Sequence, residues 1–381
     1  MSIAITGGRV LTPEGFIDAE LHLADGVVTG VGRTGRGLCL NARGLLVLPG
    51  IVDVHGDAFE RQLMPRPGVA FAPETALLDT DRQAVANGIT TMFHGVTRSW
   101  EPGLRGAGNA RAILAALEAL RGELAADTRF HLRHEIFNLE DEGEILGWLA
   151  ERRIGALAFN DHMAGIVKAR TTKAGKLATM IARSGLSADA FMALVDRVDA
   201  RRGEVSASVG RLAGAARQAG VPLLSHDDAS ADERRRYRAL GCRIAEFPMS
   251  VEAAREAVSA AEHTVFGAPN VLRGGSHTGC PAAADMVGGG LCTVLASDYY
   301  FPALAVAPFR LAADCVLPFE RAWPLVSRNP AHALGLDDRG EIAPGLRADI
   351  LLVDPTRPSV RATIVAGRLV HLADGTAILG Q

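Results

Sequence analysis

The chain has few cysteines, almost no lysine, no long apolar run and no strong excess of charge. Its five cysteines (Cys39, Cys242, Cys280, Cys292 and Cys315) are scattered and odd in number. They show neither zinc-knuckle spacing nor a disulfide framework, so a reducing cytoplasm is the expected setting. No apolar stretch approaches the roughly 20 residues of a membrane-spanning helix, and no membrane partner is expected. Met1-Ser2-Ile3-Ala4-Ile5 leads straight into strand-like sequence, so no signal peptide is expected. A formal net charge of −3 offers no footprint for nucleic acid. No glycine-rich turn follows a strand, as a nucleotide-binding open sheet would carry; Gly288-Gly289-Gly290 comes before one. The only lysines, Lys168, Lys173 and Lys176, share one short segment with Arg170. That segment reads either as a solvated face or as an anion-binding lid.

What is present is core material and alternation. Apolar residues make up 48% of the chain and mean hydropathy is +0.15, enough for one large barrel plus a smaller module at this length. Ala4–Thr6, Arg9–Leu11, Ala19–Leu23 and Val27–Val31 read as short strands, with a hairpin signal at Asp25-Gly26. Ala348–Val353 and Ile364–Val370 have the same texture at the other end. Residues 1–48 and 336–381 are therefore expected to pair into one composite, sandwich-like β domain. Residues 49–335 alternate apolar strands with helical patterns such as Ala110–Leu124, Ala188–Asp199 and Ser206–Ala219. Eight strand candidates stand out there: Leu48–Val54, Thr90–His94, Phe130–Ile136, Ala156–Asn160, Val221–Ser225, Ile244–Phe247, Thr264–Gly267 and Thr293–Ala296. Eight alternating units predict an α/β chain with a parallel (β/α)8 TIM barrel.

Active groups of such a barrel sit at the C-terminal ends of its strands. The first strand ends in His55 and Asp57, two residues apart and so on one side of an extended chain. Later ends supply His94, Glu135, Asp161 with His162, His226 with Asp227 and Asp228, Glu246, Asn270 and Asp298. So many ionisable groups in one mouth are costly unless compensated. Imidazoles with carboxylates and no clustered thiolates suit zinc, manganese or iron. Two such ions sharing a carboxylate would lower the pKa of a water between them, with Asp298 placed as general base. His94 reads more naturally as a packed histidine, Asp53 as structural, and Asp227 and Asp228 as caps of the next helix.

Pro49-Gly50-Ile51-Val52-Asp53-Val54-His55 and Gly340–Ile350 resemble the amidohydrolase superfamily. A narrower resemblance, to the PhnM family of the carbon–phosphorus lyase pathway, rests on further segments. These are His55-Gly56-Asp57, Met64-Pro65-Arg66-Pro67, Ser225–Ala229, Ala245–Pro248, Gly267–His277 and Ser297–Tyr300. The resemblance implies hydrolysis of α-D-ribose 1-methylphosphonate 5-triphosphate to the 5-phosphate and pyrophosphate. It implies metal ligation by His55, Asp57, Glu135, His226 and Asp298, with His162 as a sixth candidate. Two divalent ions are expected, zinc first, with manganese or iron as substitutes. Glu135 takes the bridging place that many relatives give a carboxylated lysine, because Lys168 lies beyond the fourth strand. A polyanionic phosphorylated sugar needs cationic and N–H partners, for which Arg66, Lys168, Arg273, Gly274, Ser276 and His277 are the candidates. Asn270 and Glu246, at neighbouring strand ends, join them on the substrate side. The resemblance also brings in other phosphonate-pathway proteins as partners and leaves a homo-oligomer open. The alternative is an amidohydrolase acting on a C–N bond of a small amide, cyclic imide or base, since fold does not fix function. A non-catalytic scaffold barrel would bind no metal.

Overall fold

The computed structural model describes every residue except 1, 33–36, 67, 164, 167–173, 277–278, 374 and 380–381, together with the side chains of 174–176 and 376–377. Lys168, Arg170, Lys173 and His277, and the side chain of Lys176, thus lie outside the described residues.

Seven short strands open the chain: β1 (Ser2–Thr6), β2 (Arg9–Thr12), β3 (Gly15–Asp18), β4 (Leu21–Ala24), β5 (Val27–Val31), β6 (Leu38–Asn41) and β7 (Leu46–Pro49). Asp25 and Gly26 take φ of 52° and 83° between β4 and β5. Two positive φ values in a two-residue loop match the right-handed twist of the strands it joins. Eight further strands follow: β8 (Ile51–Gly56), β9 (Ile89–Arg98), β10 (Asp127–Glu135), β11 (Ala156–Asn160), β12 (Leu223–His226), β13 (Ile244–Glu246), β14 (His263–Gly267) and β15 (Val294–Ala296). The chain then closes with β16 (Ile350–Asp354), β17 (Ser359–Val365) and β18 (Arg368–Leu372).

Both ends of the chain build the smaller β layers. One sheet runs β5-β4-β1-β6 and the other β18-β17-β16-β7-β2-β3. In the second, β7 lies between β2 and β16, so the two termini share a sheet. Ile3, Ile5, Leu23 and Val28 meet Val47, Ile350, Leu352 and Ile364 in the core between the sheets.

Strands β8 to β15 pair in chain order, all parallel. The ring closes through backbone bonds at the mouth: the Asp57 amide donates to the Asp298 carbonyl and the Asp298 amide to that of His55, each at 2.9 Å. Val52, Val54, Phe93, Ala158, Leu224, Ile244, Val265 and Ala296 fill the interior, so the barrel is plugged by apolar side chains. Serine hydroxyls at Ser187, Ser230 and Ser250 accept backbone N–H groups at the first turns of the helices that follow them, where those donors lack helical partners. No described helix is long and apolar enough to cross a membrane.

Two strand readings shift. The first apolar run divides at Gly50: Leu46–Pro49 joins the six-stranded sheet and Ile51–Gly56 the barrel. A Cβ at Gly50 would fall 2.3 Å from Thr90 Oγ1 and 2.9 Å from Asp349 Cβ, so only glycine lets the chain pass where the sheets meet. The second strand continues to Arg98 and is buried throughout. His94 is therefore mid-strand, edge-on to Phe59 at 5.1 Å, and burial holds its pKa down at about 3.

Candidate metal centre

The closure of the barrel assembles the first group of donors. Ligand atoms of His55, Asp57 and Asp298 lie within 4.8 Å of one another. Asp53, fully buried beneath them, ties the first strand to the last. Its carboxylate accepts the Ser297 hydroxyl at 2.5 Å and the amides of Ser297 and His55 at 3.0 and 3.3 Å. Burial still lifts its pKa to about 6. Asp53 is thus a strut of the seam.

Glu246 organises a second group. Its two oxygens meet Nδ1 of His55 at 2.6 Å and Nδ1 of His226 at 2.8 Å. Burial alone would raise this carboxyl, but the facing histidines hold it well below the carboxylate range. His55 itself is kept neutral by burial, its pKa near 3. Each imidazole gives its Nδ1 hydrogen to Glu246 and keeps a lone pair on Nε2, the arrangement that orients metal-binding histidines. His131 is also close, with Nδ1 donating to the Val54 carbonyl at 3.0 Å and Nε2 buried without a partner among the described residues. His55, His131 and Glu246 form a second triad of metal-type atoms.

The third triad is His162, His226 and Asp227. His162 Nδ1 pairs with Glu135 Oε1 at 2.5 Å, and that carboxylate lifts the imidazole to about 9. Glu135 is thereby engaged with His162 and belongs to no triad among the described residues. Asp227, Phe247 and Asp298 all take left-handed backbone, φ 61°, 54° and 54°. Such conformations are strained for residues with side chains and cluster at functional sites. Here they bend the chain just past three strand ends, and Phe247 packs edge-on against both His55 and His226. Asp228 turns inward to Ser225 and Arg234; the cap of the following helix is Ser230.

Two guanidiniums that the strand-end reading passed over stand over these acids. Arg133 is 3.4 Å from Asp57 Oδ2 and 3.1 Å from His226 Nε2. Arg105 lies 3.8 Å from Asp57 and forks onto Glu60 at 2.9 and 2.8 Å. Arg133 was visible in principle, since it shares an inward face with His131 and Glu135 two residues either side. Arg105 lies in a loop and gave no such signal.

A cleft of about 230 Å³ opens above the donors. Asn270, Arg273, Gly275 and Ser276 form its far wall, and His55, Arg133, His226 and Asp298 its floor. Arg273 is exposed and donates to the Tyr299 hydroxyl at 3.3 Å. Asn270 accepts the Ala283 amide at 2.9 Å and so anchors the wall. Gly274 ends the short helix Ala268–Arg273 in left-handed backbone and is not on the wall. Arg66 is exposed and away from the cleft lining. Glu246 is wholly buried beneath the histidines rather than on the cleft surface.

The donors fit a divalent ion. They combine imidazole nitrogen with carboxylate oxygen and no thiolate. Asp57 and Asp298 are brought together with their charges poorly offset: burial and the charge of Asp57 lift Asp298 to about 7. A cation between two such carboxylates would relieve both terms.

A model of the amidohydrolase family matches residues 100–371. The α-D-ribose 1-methylphosphonate 5-triphosphate diphosphatase of Escherichia coli strain K12 is 33% identical over 327 residues, 82% of this chain and 84% of that protein. Among solved structures, a Xaa-Pro dipeptidase with bound methionine superposes with a TM-score of 0.65 at 14% identity, over 97% of this chain and 100% of that one. A 5-methylcytosine deaminase from Klebsiella pneumoniae gives 0.64 at 16% identity over 98% of each chain. At such identities the structural likeness is one of fold. The family match and the Escherichia coli relative each span most of the sequence, and the chain therefore belongs to the amidohydrolase family.

Proposed function

We propose that this amidohydrolase cleaves a phosphoanhydride bond of α-D-ribose 1-methylphosphonate 5-triphosphate, leaving the 5-phosphate and pyrophosphate. The observation that carries the reading is the likeness to the Escherichia coli diphosphatase along most of both chains. The cleft lining, which sets Arg133 and Arg273 beside the metal-type donors His55, His226 and Asp298, agrees with a polyanionic substrate. The catalytic unit would be residues 49–335, with 1–48 and 336–381 as its β platform.

His55, Asp57 and Asp298 would hold a divalent ion, zinc first among the candidates. Bound there, it would supply Lewis acidity toward water and a phosphoryl oxygen. Glu246 fixes the tautomers of His55 and His226. Asp298, whose carboxyl is lifted toward neutrality, receives the proton of the attacking water. Arg133 offers N–H groups to the phosphoryl oxygens from the floor, and Arg273 offers them to phosphate groups of the substrate farther from the reacting centre.

The deciding experiment is phosphorus NMR of the zinc- or manganese-loaded protein with that triphosphate. Pyrophosphate that appears, and is abolished by a chelator, supports the reading. A metal-replete sample giving no phosphorus product overturns it and directs attention to C–N bonds of amides and imides.

A further inference from the structure

We infer that the barrel mouth holds a single divalent ion, at His55, Asp57 and Asp298, and that the Arg133 guanidinium serves as the second cation, between Asp57 and His226. The inference rests on the metal-hydrolase reading and replaces its expected pair of ions with one ion and one fixed charge.

The argument begins with lone pairs. A guanidinium has only donors. At 3.1 Å from Arg133 Nη2, His226 Nε2 must be the acceptor. The other nitrogen of that ring gives its hydrogen to Glu246. Both nitrogens of His226 are therefore engaged, and an ion there would need the lone pair that Arg133 already uses. The remaining imidazole of that triad, His162, faces a carboxylate at each nitrogen: Nδ1 is 2.5 Å from Glu135 and Nε2 is 3.6 Å from Asp227. His55 differs. Glu246 engages its Nδ1 alone, and the ring lines the cleft, with Nε2 left to bind.

Charge points the same way. Arg133 is 5% exposed and its Nε has no partner among the described residues. Among the described residues, Asp57 at 3.4 Å is the only carboxylate within salt-bridge distance of it. An ion on His226 would have to take the nitrogen that this permanent cation occupies, with the partly exposed Asp227, 3.6 Å from it, as its carboxylate; at Asp57 the shared carboxylate stands between the ion and Arg133 and offsets both charges. The ion can instead sit on Asp57 and Asp298, two carboxylates held side by side by the backbone bonds of the closing seam. The two cations then divide the work: the ion activates water, and the planar guanidinium presents N–H groups to phosphoryl oxygens.

Metal content decides the matter without reference to turnover. Protein equilibrated with zinc or manganese, desalted and analysed by elemental mass spectrometry should carry one ion per chain. Its manganese form should give the paramagnetic resonance signal of isolated ions. Arg133→Met should admit a second ion and produce an exchange-coupled spectrum, while Arg133→Lys should remain at one; a thermal melt of each variant reports folding. Two ions in the wild-type protein would overturn the inference and leave the hydrolase reading standing. A folded Arg133→Met still holding one ion would overturn the role of Arg133. A wild-type chain that retains none would sink the metal reading and the inference with it. If Arg133→Met fails to fold, the wild-type stoichiometry and spectrum still decide between one ion and two.

Discussion

Glu246 Oε1 stands 2.6 Å from Nδ1 of His55, a residue 191 positions earlier in the chain. The other oxygen holds His226 in the same way, so one buried carboxylate sets the tautomers of two imidazoles on opposite sides of the barrel. A glutamine has the same shape but only one accepting atom on its amide. In Glu246→Gln one imidazole must turn or change tautomer. The expected result is a folded protein whose zinc affinity falls roughly 10–100-fold, read by competition with a chromophoric chelator. Unchanged affinity would remove Glu246 from any role in orienting His55 toward a metal ion.

Asp298 combines left-handed backbone with a carboxyl lifted to about 7. Asparagine accepts that backbone at least as well as aspartate. Asp298→Asn should therefore keep the fold, and keep its metal at saturating ion. Losing the proton acceptor should lower turnover on the order of 100-fold or more. The check is kcat measured beside metal content. Near-full kcat in a metal-replete variant would show that the proton goes elsewhere.

Arg273 lies on the rim, away from the reacting centre in the proposed scheme, and its one described polar contact is Tyr299. Arg273→Ala should raise KM for the triphosphate about 10-fold while kcat changes little, as expected when a charge-assisted contact is lost equally from bound substrate and transition state. A KM that stays put would argue for a neutral substrate.

The barrel is legible in the sequence because most of its buried strands are short apolar runs with a polar residue at or just past the end. The composite β layers are legible because both termini carry the same strand-and-turn texture. What periodicity cannot supply is pairing across the mouth. His55, Asp57 and Asp298 are recognisable one by one, but Glu246 can be read as a histidine clamp only once β13 lies between β12 and β14. Glu135 has the right place for a bridging ligand, and its capture by His162 follows from a side-chain contact. Arg133 is missed because guanidiniums are not metal ligands, although its spacing from Glu135 sets it on the inner face.

The His162–Glu135 pair predicts a pH dependence. The imidazole is raised to about 9 in the folded chain, chiefly by the Glu135 charge, from an unfolded value near 6.5. Folding therefore gains stability from this group that is fully present below about pH 6.5 and is lost as pH rises through about 9. The gain is on the order of 3 kcal/mol at most, and less because the side chain is 25% exposed. In urea titrations of metal-free protein, the stability difference between wild type and His162→Gln should shrink between pH 7 and 10. A difference independent of pH would mean that the imidazole is not charged in the native state.

Arg234 tests whether the turn after β12 is held from behind. It is fully buried, donates to the Ser225 hydroxyl at 2.5 Å, to Asp228 at 3.1 Å and to the Cys242 carbonyl at 2.7 Å, and lies 3.3 Å from Glu262. Arg234→Met would leave Asp228 and Glu262 in the interior with less to balance them, a change that typically costs about 3–5 kcal/mol. Lysine should not restore it, because a single ammonium cannot reproduce the planar fork. Ser225 and Asp228 flank His226 and Asp227, so the loss should also reach the mouth. The urea midpoint should fall with an unchanged slope, and kcat should fall in the folded, metal-replete variant, because Arg133 rests on His226. A lower midpoint with wild-type kcat would make Arg234 a packing residue only, and the position of His226 would then depend on Glu246 and Arg133 alone.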